Sequence, residues 1–359
     1  MRESSLSRSW TPSPMVRWCR TGSRSRYEPT FEKHMTSSPT TAALTLSLTG
    51  PFARQGTEAA EGVRLWAEPA GVRMTLIDDA GSAAAAAEAY TQWVDSVDLL
   101  IGPYSSGLVR AIAPLVGEAG RLLWNHGGSA DDLAQPGVAS VPAPASSYFN
   151  GVVEEAVARQ VDQVVVVRGP GPFAQAVADG AVTRASERGL ATRTVEATAI
   201  QVEDGDGTAF LIAGRFEHDV AVVRRLQDDP KTPALLAAVA AGIPAFGEEL
   251  GPAAEGVLGP VQWWPTSQEP EIGPSGSEFV TRYRDRTGRE PSYPAAQAAA
   301  AGYLGHAAHR VGMAAEDVVT WSSSTLLGDF ALDSAWRQVG HRVTTVRWQG
   351  GRMAPLPAG

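Results

Sequence analysis

The chain has 359 residues, 43% of them hydrophobic, which is enough for two α/β domains with a core each. Its formal net charge of −9 argues against nucleic acid as a partner of the folded body. The single cysteine, Cys19, excludes an internal disulfide, and no stretch reaches the ~18 apolar residues of a membrane span.

Residues 1–43 carry six Arg and one Lys against three Glu, a net of +4. Pro, Ser and Arg recur, and Arg17 interrupts the only short apolar run, so no secretory core of about 7–15 apolar residues is visible. Arg17-Trp18 stand where a lipoprotein anchor would need small residues before its cysteine. The segment reads as a disordered basic tail or as a start assigned too far upstream, with Met35 as the alternative start. As written the chain is cytoplasmic; a wrong start or atypical export would make it extracytoplasmic.

The following pattern alternates short apolar strands with helices. Strands are expected at 44–48, 72–77, 97–101 and 122–124, with helices at 56–67, 83–94 and 108–118. Such βαβ spacing implies a parallel sheet, and strands apolar on both faces agree with it. Residues 138–147, with Pro142 and Pro144, read as a crossover. A second α/β series then runs through strands at 161–167, 191–200, 209–213 and 234–239 and helices at 173–188 and 219–226. A Pro- and Gly-rich passage at 251–274 holds a strand at 257–264 and supplies a second crossover. Helices at 277–286 and 294–311 and a hairpin around Gly350-Gly351 complete the chain.

Two turns stand out. Residues 97–107 (VDLLIGPYSSG) and 121–129 (RLLWNHGGS) each place backbone amides and a hydroxyl after an apolar strand. Open α/β sheets bind ligands at that end of their strands. No nucleophile–base pair accompanies the turns, so they suit holding a small polar molecule rather than transforming it.

Five segments, in order, resemble the leucine/isoleucine/valine-binding branch of the type I periplasmic binding protein superfamily. They are 48–56 (LTGPFARQG), 101–106 (IGPYSS), 127–133 (GGSADDL), 279–291 (FVTRYRDRTGREP), and 328–333 (GDFALD) with the terminal hairpin. The resemblance covers about 44–357. It implies two doubly wound parallel-sheet lobes joined by three crossovers and closing on a ligand. Lobe 1 would comprise 44–143 plus 265–324, and lobe 2 144–264 plus 325–357, with the third crossover near 322–330.

The resemblance also assigns candidate site residues. Ser106 matches the position that holds a ligand carboxylate, where unpaired amides and the helix dipole favour an anion; the alternative is an N-cap of the next helix. Gly127 and Ser129 match a turn that offers a carbonyl and a hydroxyl, or else form an ordinary tight turn. Gln55 stands where relatives carry a cleft-lining aromatic. Phe173 matches a lobe-two aromatic lid, or else a hydrophobic staple at a helix start. Phe216 matches a second lobe-two aromatic. Amino-acid binders pair the ligand ammonium with a lobe-two acid, yet residues 235–243 contain none. An unpaired buried ammonium is costly, so either Glu217 or another acid substitutes, or the ligand is not an α-amino acid. Trp124, Asn125 and His126 would then favour a neutral or aromatic ligand.

Other chemistry lacks its parts. His306 and His309 lie at helical i,i+3 spacing without a third zinc ligand. His126 near Ser129 lacks the third member of a catalytic set. Asp204–Gly207 is too short for a calcium loop, and Gly169–Pro172 lacks the lysine of a phosphate loop. One of Asp78 and Asp79 is expected to cap the next helix. The expectation is a non-enzymatic binding protein without cofactor or metal. Its ligand would be a small molecule (amino acid, amide or small carboxylate) and its partner an ABC permease. The alternative is a cytosolic ligand sensor of the same fold that regulates a partner protein.

Overall fold

A computed structural model describes residues 38–200, 207–229, 231 and 233–357. The basic segment through residue 37, with Cys19 and Met35, and the Asp204–Asp206 turn lie outside the described residues.

Lobe 1 begins with β1 (Thr41–Leu46), α1 (Ala53–Ala67), β2 (Arg73–Asp78), α2 (Ala83–Trp93), β3 (Leu99–Ile101), α3 (Ser106–Glu118), β4 (Leu123–Asn125) and β5 (Val138–Ser140). The sheet order is β2-β1-β3-β4-β5, parallel throughout. Two expectations are corrected. The first strand starts at Thr41, whose amide and hydroxyl both bond Asp98 Oδ2 at 2.8 Å, and Ala42 and Ala43 are fully buried. Residues 138–140 form the fifth strand and only then cross over, because β4 supplies a parallel edge for them.

Lobe 2 follows with α4 (Asn150–Ala158), β6 (Gln163–Arg168), α5 (Pro172–Glu187), β7 (Ala191–Glu196), β8 (Thr208–Ala213), α6 (Phe216–Gln227), β9 (Leu235–Ala238), α7 (Pro244–Leu250) and β10 (Leu258–Val261). The chain returns to lobe 1 as α8 (Gly276–Thr287), α9 (Tyr293–Arg310) and the hairpin β11 (Ser322–Thr325)–β12 (Gly328–Ala331). It ends in lobe 2 as β13 (Thr344–Gln349) and β14 (Arg352–Pro355). The second sheet runs β14-β13-β10-β9-β8-β6-β7, parallel from β10 to β7 and antiparallel at β13 and β14.

The return to lobe 2 comes later than the spacing suggests. Leu326, Leu327, Phe330, Leu332 and Trp336 are buried in the same core as β1, α1 and α9. Phe330 packs on Trp124 and Trp321 at 5.8 and 5.7 Å between ring centroids. The third crossing therefore lies between Trp336 and Thr344 rather than at 322–330. The apolar run 326–332 belongs to the core of lobe 1.

Helices α1 and α9 press together through small residues. A Cβ on Gly62 would stand 2.0 Å from the carbonyl oxygen of Ala295. Side-chain-free contact lets the backbones approach closely, and the alanine face of α9 does the rest.

The three crossings are fastened to one another. Gln262 donates from Nε2 to the Ala143 carbonyl (3.0 Å) and accepts from the Ala143 amide (3.1 Å). Gln338 Nε2 donates to the Ser140 and Val141 carbonyls (3.3 and 3.2 Å), while its Oε1 accepts from the amides of Gly340 and His341 (2.9 and 3.2 Å). His341 donates from Nε2 to the Gln262 carbonyl at 2.8 Å. All three side chains are buried. Burial pushes the His341 pKa down to about 4, as it does that of His126.

Two predictions follow from this packing. Gly62→Ala should cost about 1–3 kcal/mol of folding stability, because the added methyl meets backbone that cannot yield cheaply; urea unfolding measures it. Between pH 4 and 6.5 His126 and His341 are neutral when folded but protonated when unfolded, so each makes stability rise with pH. Asp219, whose pKa burial raises to about 6, works in the opposite direction over a similar window. Asp131, raised by burial, acts with Asp219, while His306 and the lowered carboxylates Glu61, Asp98 and Asp132 act with the two histidines, so the protein should be more stable at pH 7 than at pH 4.5, and His341→Gln should flatten that dependence in unfolding titrations.

Candidate ligand-binding cleft

A cleft of about 820 Å³ opens between the lobes, in the range typical of small-molecule sites. Ser105, Ser106, Gly127 and Ser129 line it from lobe 1, and Pro172, Phe173, Gly214, Arg215, Phe216 and Ala240 line it from lobe 2. Gln262 and Pro142 of the crossings lie at its base.

The lobe-one wall is built by its own hydrogen bonds. Asn125, fully buried at the end of β4, accepts from the amides of Gly127 and Gly128 (3.1 and 2.8 Å). Its Nδ2 donates to the Gly128 carbonyl (2.7 Å) and Ser140 Oγ (2.9 Å). The turn needs glycine at 127, since a Cβ there would lie 2.4 Å from Tyr104 Cα. Ser106 Oγ accepts from the amides of Ser129 and Ala130, both at 3.1 Å, which joins the first turn to the second. Its own hydroxyl proton remains free to donate. Ser105, not Ser106, is the N-cap of α3, accepting from the Leu108 amide at 3.4 Å. Ser105 holds φ at +112°, a conformation costly for a residue with a Cβ. The expectation of a cap at Ser106 is thus corrected: the cap sits one residue earlier and releases Ser106 toward the cleft.

Three tyrosines face the same space. Tyr148 donates to Ser129 Oγ at 3.3 Å, and the Tyr104 and Tyr293 hydroxyls share a bond of 2.5 Å. Tyr104 packs edge-on against Phe52 at 5.9 Å, and Tyr148 against Phe173 at 5.4 Å. Burial raises the pKa of all three, that of Tyr293 to about 12, so they remain phenols at neutral pH. The sequence reading missed them, although Tyr104 lies inside the first turn that it singled out.

Of the expected site residues, Ser106, Gly127, Ser129, Phe173 and Phe216 line the cleft. Gln55 does not. It lines a smaller cavity of about 190 Å³, and Tyr293 borders both spaces. Position 55 is in the first turn of α1. Glu217 is solvent-exposed on the first turn of α6 and is not among the cleft-lining residues. The acid buried behind the lobe-two wall is Asp219, accepting from the Ala240 amide at 3.0 Å and contacting His218 Nδ1 at 3.2 Å. Trp124, Asn125 and His126 are buried behind the second turn and do not line the cleft. Their expected influence on ligand choice is corrected to a supporting one. Asp78 accepts from Leu48, Thr49 and Ala80, and Asp79 from Ser47 and Gly81, while Ser82 caps α2. Neither aspartate caps that helix.

Among the described residues, Arg110 and Arg215 are the only ionisable ones other than tyrosine along the cleft. Arg110 is held bidentately by Asp132 at 2.7 and 2.8 Å. No helix among the described residues is long and apolar enough to cross a membrane.

Residues 39–352 match the family model described as periplasmic binding protein. No curated protein is similar enough in sequence to match. Among solved structures, the leucine binding protein of Thermotoga maritima is 19% identical with a TM-score of 0.71, covering 88% of this chain and 97% of that one. An ABC transporter substrate-binding protein from Sphaerobacter thermophilus is 15% identical with a TM-score of 0.74, covering 89% and 97%. A solute binding protein of an ABC transporter from R. palustris, in complex with benzoate, is 16% identical with a TM-score of 0.66, covering 89% and 95%. At these identities the likeness establishes the fold.

Replacing Ser129 by Ala should weaken ligand binding by about 1–2 kcal/mol with little change in stability, since the Tyr148 bond is long. Ser106→Ala should weaken binding similarly and also cost about 1–2 kcal/mol of folding stability, because it strands two amides. Calorimetric titration and urea unfolding measure the two effects separately.

Proposed function

Because the chain belongs to the periplasmic binding protein family, we propose that it captures a small organic molecule between its lobes by hinge closure and delivers it to an ABC permease. The observation that carries this reading is the pairing of unlike walls. Serine hydroxyls at strand ends and the start of α3 in lobe 1 face aromatic rings and helix starts in lobe 2. The buried crossings beneath them, fastened by Gln262, Gln338 and His341, form a joint about which the walls would bend. A few convergent hydrogen bonds in a largely preformed cleft suit a molecule of amino-acid size.

Ser106, Ser129 and the start of α3 would hold a carboxylate, Tyr148 and Phe173 would cover the ligand body, and Phe216 would close over it from α6. The neighbours of this fold include a leucine binding protein and a benzoate complex, so the fold by itself admits ligands with and without an ammonium group.

The test is a thermal-shift panel of amino acids, amides, small carboxylates and aromatic acids. A ligand present at 100 times its Kd should add roughly 2.7 kcal/mol of stability, and Ser129→Ala should diminish the shift. If no compound in any class stabilises the protein, or if the shift is insensitive to Ser129→Ala, the capture reading is wrong.

A further inference from the structure

Gln297 is the feature that nothing above employs. It sits on α9, one turn after Tyr293, is 2% exposed and lines the cleft. Its amide makes no hydrogen bond to any described residue, although a buried polar group normally finds a partner. Its polar atoms are not fully buried like those of the neighbouring core, so the carboxamide opens into the cleft and is free to pair with whatever fills it.

The charge of the cleft says what kind of partner. Among the described residues no Asp or Glu lines it. The carboxylates around it are engaged elsewhere: Asp132 by Arg110, Asp131 by Ser146, Asp219 by Ala240 and His218, and Glu58 by Ser292 in the neighbouring cavity. Of the two arginines, Arg110 is neutralised by Asp132, while Arg215, at the start of α6, makes no ion pair among the described residues. Lobe 1 meanwhile offers free hydroxyl protons and the start of α3. A positively charged group enclosed here would meet no counter-charge, whereas an anion would meet donors on both sides.

We propose that the ligand is an organic carboxylate with an apolar body and no ammonium group, and that Gln297 of lobe 1 and Arg215 of lobe 2 select it. This rests on the capture reading and narrows it. Arg215 supplies the unpaired charge across the cleft, and the Gln297 amide donates to a ligand oxygen from within the lobe-one wall. The three tyrosines and Phe173 provide the surroundings for the apolar body.

Two matched pairs test the proposal by calorimetric titration: 4-methylpentanoate against leucine, and 3-phenylpropionate against phenylalanine. The members of each pair differ only by the α-amino group. At least one of the des-amino acids should bind, at least tenfold more tightly than its amino acid. Arg215→Gln and Gln297→Leu should each weaken that binding about tenfold. Gln297→Leu should leave the melting temperature of the free protein unchanged or raised, which a structural glutamine would not allow. Tighter binding of leucine or phenylalanine would overturn the proposal while leaving capture intact. Binding of neither acid, when the broad panel yields a neutral or cationic ligand, would do the same. Loss of free-protein stability in Gln297→Leu would reassign Gln297 to the fold.

Discussion

Everything in this molecule hangs on one buried knot. The polypeptide crosses between its two lobes three times, and two glutamines and a histidine bind the crossings to each other within a few residues. Each crossing is a strand without a sheet, whose backbone groups would otherwise lie buried and unpaired. Gln262 pairs both polar groups of Ala143, and Gln338 takes carbonyls from the first crossing while closing the turn of the third. The penalty for stranding such groups is larger than the net gain of making them, so the knot resists sliding. The lobes are left free only to bend about it. His341 completes it as a neutral donor, a state that its burial enforces.

The lobe-one wall shows how little side-chain chemistry a binding surface needs once its backbone is held. Asn125 uses both ends of its amide to fold the second turn, and Ser106 reaches across from the first. These bonds use up the amides of residues 127–130 and leave the Ser106 hydroxyl proton to donate into the cleft. The strain at Ser105 belongs to the same arrangement. With the cap at that residue, Ser106 begins the helix and its hydroxyl faces the cleft. Lobe 2 contributes rings, helix starts and one unpaired guanidinium.

Much of this was legible in the sequence. Both α/β series, the two glycine-bearing turns and Ser106, Gly127, Ser129, Phe173 and Phe216 could be located from apolar strand runs and from family resemblance. What escaped had physical reasons. A cap and its neighbour look alike in Ser105-Ser106, and only the sign of φ separates them. The run Leu326–Leu332 reads as a crossing until Phe330 is seen packed against Trp124 and Trp321 in the lobe-one core. Gln55 follows from a family position and Glu217 from the want of a lobe-two acid, but the fold carries one to a neighbouring cavity and the other to solvent. Tyr293 and Gln297 come from a segment far along the chain, and tertiary folding alone brings it to the cleft. A signal for Gln297 did exist: one amide within a run of alanines on a helix that is otherwise core.

The central claim is that the two lobes form a clamp that closes on a ligand bound between them. The most direct measurement is small-angle X-ray scattering of the protein alone and with a saturating amount of the compound that stabilises it most. The radius of gyration should fall with that compound, and fall less in Ser106→Ala at about ten times the wild-type Kd, where the weakened variant is only partly loaded. An unchanged radius of gyration in the wild type, with binding verified in the same sample, would contradict closure and with it the clamp.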